Sequence, residues 1–352
     1  MAYTTIAKPS VHFDCPTWTG SSSTTTISGM GFKPDMIWIK RYDGSGHPLL
    51  NNSSEGTGQN WIPSGNNAND TNTLVASYTS DGFTLTGGGT DVNENAEKYV
   101  AACWKANGGT TSSNGSGSIT STVQANTTAG ISVVQYTGTG ATGTIGHSLG
   151  AVPKLIIAKS TTVADRGVVY IGDLGHYSDT EDDLIQFAAT SQFQDDAGGW
   201  NDTKPTSTVF TVGNKSHHNT SGAASIAYCF AEIKGFSKFG IYAGSGNVKG
   251  TPVYCGFRPK WLMIKKWEST EDWAAKTTVV DEGQIAGTSE MKRALQFSDN
   301  SSSTDCTITA TSWGFRASTT DAKANSENAE YLYMAFAEMP VVGTNGTVGL
   351  AI

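Results

Sequence analysis

The sequence predicts an all-β fold of three tandem β-sandwich-like repeats, each roughly 100–120 residues long. Three observations carry this reading. Apolar runs of roughly five residues alternate with turns of Gly, Ser, Thr and Asn, the pattern of short strands joined tightly. Nothing sustains a helical period. Two anchored blocks recur in the same order three times.

The opening block begins at Trp18-Thr19-Gly20, Tyr136-Thr137-Gly138 and Tyr242-Ala243-Gly244. A proline follows the aromatic 16 or 17 residues later, at Pro34, Pro153 and Pro259. Each proline introduces an apolar run ending in lysine: Met36 to Lys40, Leu155 to Lys159 and Trp261 to Lys265. Gly138-Thr139-Gly140 resembles a nucleotide loop only superficially, because glycine turns stand at the same place in the other two copies.

The closing block starts at Phe83, Phe210 and Phe315. After a polar turn come the longer apolar strands from Tyr99 to Trp104, Ser225 to Phe230 and Tyr331 to Phe336. Alternation puts Val100, Ala102 and Trp104 on one face and Ala101 and Cys103 on the other. The same holds for Ile226, Tyr228 and Phe230 against Ala227 and Cys229, and for Leu332, Met334 and Phe336 against Tyr333 and Ala335. With both faces apolar, these strands are expected to be central and covered on both sides. Ser289 to Phe297 has room for two helical turns, but its counterpart Asp182 to Ala188 argues for a strand, which is the reading kept.

These blocks divide the chain into an N-terminal segment 1–10, units 11–128, 129–236 and 237–340, and a tail 341–352. Residues 107–118 are Gly- and Ser-rich and read as a flexible linker or long loop. Between the second and third units stands only Lys234-Gly235-Phe236-Ser237, so those two are expected to pack closely.

Charged residues are only 15% of the 352, and 41 glycines help fill the gap, so the surface is polar through hydroxyls and amides. A net charge of −8 with scattered Lys and Arg argues against nucleic acid as the main partner. No apolar run reaches the length of a membrane span, and no signal peptide is visible at the N-terminus, so synthesis in a cytoplasm is expected. Five cysteines, Cys15, Cys103, Cys229, Cys255 and Cys306, lack any C-x-x-C pair. Cys103 and Cys229 stand at equivalent sites and read as small, reduced residues of separate cores.

Candidate chemistry is sparse, and no catalytic, cofactor-binding or metal-binding residue is assigned. His217-His218 has the makings of a metal site, but a solvated hairpin loop is the heavier reading. Asp179, Glu181, Asp182 and Asp183, with Asp195-Asp196, offer carboxylates for calcium without EF-hand spacing. Glu94, Glu97, Glu327 and Glu330 form two ENAE turns, better read as hydrophilic turns than as the facing carboxylates of a glycosidase. Lys40, Lys159 and Lys265 either coat a common rim or simply end the buried part of their strands, the second being the default. The segments between the blocks, roughly 41–80, 160–206 and 266–312, differ most and carry Trp61, Trp200, Trp267 and Trp273. Those rings either stack on sugars or plug the ends of sandwiches; the sequence does not separate the two.

The motifs GFKPDMIWIK, ISVVQYTGTGATGTIGHSLG, YVAACWKANGGTTSSNGSGSITSTVQANTTAG and FAEIKGFSKFGIYAGSGN resemble a repeat domain common in marine phage proteins, cyanophages above all. The resemblance spans nearly the whole chain and implies an external virion structural protein displayed in several copies. It carries no site residues with it.

The expected function is therefore attachment of a bacteriophage to its host as a tail fibre or receptor-binding protein, without catalysis. Its expected partners are other virion proteins, copies of itself and host surface polysaccharide or receptor, with recognition in the variable segments on a rigid scaffold. The rival reading is a head decoration protein or head fibre, since no collagen-like or heptad shaft is present. A third is a polysaccharide depolymerase.

Overall fold

The computed structural model describes residues 4–172, 183–280, 290–291, 294–296, 302–303 and 306–341. Apart from a 3-10 turn at Pro9–Val11 and one helical turn at Ser216–Asn219, its regular structure is antiparallel β. Short strands run at Glu290–Met291 and Ala294–Gln296, and another at Asp183–Gln186, so the strand reading of both segments holds.

In each sheet the closing strand is central, because both of its faces are apolar and both need cover. Lys98–Trp104, Ala224–Phe230 and Glu330–Pro340 each lie between an opening strand and a lysine-ended strand. The registers correspond. Trp18 faces Tyr99, Tyr136 faces Ser225, and Tyr242 faces Tyr331. On the other side Met36 faces Trp104, Leu155 faces Phe230, and Trp261 faces Phe336. Pro34, Pro153 and Pro259 each stand two residues before those partners.

A smaller sheet packs on one face of each large one. In the first, Ile27, Val75, Phe83 and Leu85 close over Ile37, Ile39, Ala101 and Cys103. In the second, Ile145, Phe210 and Val212 close over Val134, Ile156, Ala227 and Cys229. In the third, Phe315 meets Tyr242 and Tyr333 at ring-centroid distances of 5.5 and 5.2 Å. Cys103 and Cys229 thus lie in separate clusters, both fully buried.

The opposite faces do not stay separate. Trp104, Phe230 and Phe336, one from each closing strand, form a triangle with centroid separations of 5.4, 6.1 and 5.9 Å. Phe13 stacks on Phe336 at 5.0 Å and Trp261 meets Trp104 edge-on at 5.6 Å. Large apolar faces exposed on three sheets are stabilised by covering one another, so the sheets share one aromatic core. Phe187, just after a strand of the second sheet, fills the gap beside it, 5.1–5.3 Å from Trp38, Trp61 and Trp273.

One sequence expectation changes. Residues 107–118 are not a flexible linker: Ser112–Asn114 pairs with Ser121–Asn126, which joins the opening strand Ile131–Thr137. Asp35 anchors the preceding turn by accepting the amides of Ala106 and Gly108, both at 2.8 Å. Residues 112–126 therefore hydrogen-bond into the second sheet, not the first. At the N-terminus, Ile6 is buried in the shared core, so the segment 1–10 contributes to that core where it is described.

Candidate functional site

Each opening turn is held by the same set of contacts. Trp18 Nε1 donates to the carbonyl of Val92 at 3.1 Å, and the Tyr136 and Tyr242 hydroxyls donate to those of His218 and Ala324 at 2.7 Å. The next residue is a buried asparagine in every case. Asn93, Asn219 and Asn325 accept the amides of Ser21, Thr139 and Ser245 at 3.1, 2.8 and 2.8 Å. Their Nδ2 groups donate to Ser23 and Thr86, to Ala141 and Gly213, and to Asn247 and Thr319. Burying an amide costs free energy unless its donors and acceptor are used, and here all are. The preceding glycines are obligatory: a Cβ on Gly20, Gly138 or Gly244 would sit 2.1–2.3 Å from a backbone oxygen. These asparagines escaped notice in the sequence, although each lies six residues before Tyr99, Ser225 and Tyr331.

The three lysines neither coat a rim nor merely end a buried stretch. They are themselves buried, at most 1% exposed. Lys40 Nζ donates to the carbonyl of Gly46 at 2.7 Å. Lys159 reaches the carbonyl of Asp165 and that of Asn67, the latter at 3.0 Å. Lys265 reaches Glu271 and, at 2.9 Å, Ser269. In each case one acceptor lies six residues on, so the ammonium closes the turn after its strand. Burial pulls Lys159 and Lys265 down to about 8, partly offset by nearby acidic groups.

Trp61, Trp200, Trp267 and Trp273 are at most 4% exposed. They are plugs, and their ring faces are not offered to a sugar. Trp200 lies between Tyr170 and His218, with centroids at 5.7 and 4.9 Å.

The histidine pair is likewise not a solvated hairpin. It sits on the helical turn, with His218 fully buried and its Nε2 at 3.0 Å from the carbonyl of Gly199. Burial drives His218 down to about 4. His217 Nδ1 is 2.7 Å from Asp165 Oδ1, and Ser216 Oγ is 2.6 Å from Oδ2 of the same carboxylate. Burial raises the Asp165 pKa, but the Ser216 hydroxyl and His217 outweigh it and hold the group below its usual range. The carboxylate stands between Ser216 and His217. A nucleophilic triad instead needs the histidine between serine and acid, so these residues are not arranged for acyl transfer.

Three of the acidic candidates find local partners. Glu97 pairs with Arg41, and Glu94 lies 3.6 Å from the same guanidinium. Two carboxylates turned to one arginine are not a pair facing across a cleft. Asp196 meets Lys215 at 2.7 Å. Asp179, Glu181 and Asp182 lie outside the described residues, and so does the side chain of Asp183. Among the described residues no cluster of three or more His, Cys, Asp or Glu is placed to hold a metal, and no helix is long and apolar enough to cross a membrane.

The meeting of two sheets also brings polar groups together at the surface. Between the first and second sheets lies a groove of about 330 Å³ lined by Glu55, Thr120, Thr122, Gln135, Thr137 and Ser225. The Glu55 turn is docked on the second sheet: Gln124 Nε2 donates to Ser53 and Ser54, and Asn52 Nδ2 to the Tyr228 hydroxyl. Asn52 and Asn69 donate to the Glu55 carboxylate at 2.7 and 3.4 Å. Burial raises Glu55 to about 7, with the Asn52 and Thr161 side chains and the Lys159 charge opposing it. Hydroxyls, one amide and a carboxyl that changes charge near neutrality suit a hydrogen-bonding ligand. The groove was invisible in the sequence, since its two walls come from separate units.

One family matches the chain, over residues 8–340, and is described as a domain of unknown function, DUF7483. No curated protein and no solved structure matches.

Proposed function

The chain belongs to the DUF7483 family, and for it we propose the role of an exposed bacteriophage virion protein that attaches the particle to its host. In this reading it is a tail fibre or receptor-binding protein, displayed in several copies beside other virion proteins. The observation that carries it is the contrast between framework and loops. The aromatic–asparagine contacts and the lysine closures recur in all three sheets. The turns they hold differ in residue type, and the segments between the anchored blocks differ in both length and residue type. A rigid frame with divergent polar loops is how recognition surfaces are commonly built. The marine-phage resemblance supports the virion setting, and the low-charge surface fits repeated display.

Because the loop tryptophans are buried, contact there falls to polar groups such as those of the Glu55 groove. Purified, fluorescently labelled protein is expected to adsorb to host cells and compete with phage. Replacing the exposed side chains at residues 71–73 should weaken adsorption and leave thermal unfolding unchanged. If the protein does not bind host cells and phage lacking it adsorb normally, the attachment role fails. Antibody labelling of the head in electron microscopy would then put a decoration protein in its place, and sugar release from host envelope would put a depolymerase there.

A further inference from the structure

Tyr254 is 60% exposed, the most exposed large hydrophobic side chain among the described residues. Its ring runs nearly parallel to that of half-buried Trp313, with 17° between planes and 6.4 Å between centroids. The backbone beneath both is tightly fixed. Tyr254 ends the strand Pro252–Tyr254, which pairs with Gly314–Ala317 directly after Trp313. The amides of Cys255 and Gly256 both donate to the Trp313 carbonyl at 2.9 Å. A Cβ at Gly314 would lie 1.9 Å from the carbonyl oxygen of Val253, so the close approach of the two strands depends on glycine.

The fold does not require this aromatic pair. By register, Val253 facing Phe315 corresponds to Ile27 facing Phe83 and to Ile145 facing Phe210. Tyr254 and Trp313 therefore stand where the first sheet has Ser28 and Asp81 and the second has Gly146 and Thr208. Two sheets fold with small or polar residues there; the third presents a flat apolar surface to solvent.

Next to Tyr254 is a cavity of about 290 Å³, lined also by Glu232, Lys234, Ser237, Lys238 and Cys255. Lys238 Nζ is 2.8 Å from Glu232 Oε1, and both side chains are about one-third exposed. An apolar plate beside a carboxylate and two ammonium groups matches one ligand chemistry in particular. A pyranose has an apolar face of C–H groups that excludes water against an aromatic ring, and an edge of hydroxyls that both donate and accept. A wholly apolar partner would strand the Glu232–Lys238 pair, and a polyanion would meet the carboxylate.

We propose that Tyr254, Trp313 and the adjoining Glu232–Lys238 pocket form a saccharide-binding site that takes one hexopyranose residue of a surface glycan. Its biological role rests on the attachment reading; the saccharide binding itself does not. Because strand pairing holds the rings in place, little ordering is needed on binding, and repeated display would raise a weak single-sugar affinity.

The test is saturation-transfer NMR on the full chain with methyl β-D-glucopyranoside, methyl β-D-galactopyranoside and methyl β-D-glucuronide. Transfer is expected to the ring C–H protons of at least one. It should be lost in Tyr254→Ser and at least halved in Trp313→Asp, which install the first sheet's residues. Thermal unfolding of both variants should match the parent. No transfer from the parent to any of the three glycosides, or equal transfer from Tyr254→Ser, overturns the site. If the parent adsorbs to host cells and Tyr254→Ser adsorbs equally without glycoside binding by either, the site fails while attachment stands. Glycoside binding that Tyr254→Ser abolishes, with no adsorption to host cells, upholds the site and removes the attachment role.

Discussion

Trp104 and Phe336, one on the first closing strand and one on the third, meet edge to face with ring centroids 5.4 Å apart. Phe230 of the second closing strand touches both. Three strands that correspond in sequence thus place corresponding rings against each other. At the centre of the chain the closing strands of three antiparallel sheets pack around a common point.

Unfolding should therefore be one cooperative event. Trp104→Ala, Phe230→Ala and Phe336→Ala should each cost about 3–5 kcal/mol and shift the whole transition in denaturant. Pairs of these substitutions should be non-additive, because the residues share neighbours. Trp104→Phe should cost far less: it installs the ring of the other two strands and removes a buried indole N–H that has no acceptor. Three separable transitions would refute a shared core.

The asparagine contacts predict a second set of effects. Asn219→Ala should cost about 2–3 kcal/mol, since it leaves buried backbone donors and acceptors unmet. Gly138→Ala should cost about 1–3 kcal/mol, because its Cβ is driven into the Thr220 carbonyl. Equivalent changes at Asn93 and Asn325 should cost about the same. Chemical denaturation of the four variants checks this, and a neutral Asn219→Ala would show that the turn is held by other means.

Half-buried Glu55 and buried His218 give opposite pH dependences. Glu55 is raised from 4.5 to about 7. Its contribution to stability is fully present below pH 4.5 and is lost as pH rises through 7. Glu55→Gln should match the parent in acid and exceed it in thermal stability by pH 8. His218 is lowered from 6.5 to about 4, so its contribution is present above pH 6.5 and lost as pH falls through 4. His218→Gln should flatten the acid limb of the melting-temperature profile. Parallel profiles for parent and variant would contradict either assignment.

The thiols give a simple chemical readout. All five cysteines are buried and none is in a disulfide, and burial pushes Cys15 and Cys255 up to about 12. Ellman's reagent should find no fast-reacting thiol in the native protein and five after unfolding. Fewer than five would reveal a disulfide or an oxidised sulfur.

The fold class, the central place of the closing strands and the shared register of the anchored blocks were all legible in the linear order of residues. The reason is that alternation within a strand reports directly which faces are apolar. Alternation does not report what covers those faces. That the large-residue faces of three sheets cover one another, and that Phe187 fills the space beside them, depended on contacts between residues far apart in the chain. The same limit applies to polar groups. Lys40, Lys159 and Lys265, the asparagines and His218 looked like surface residues, because Lys, Asn and His are usually solvated. Only the folded chain supplied the backbone carbonyls and amides that let them be buried, and only it brought the Glu55 turn against the second sheet.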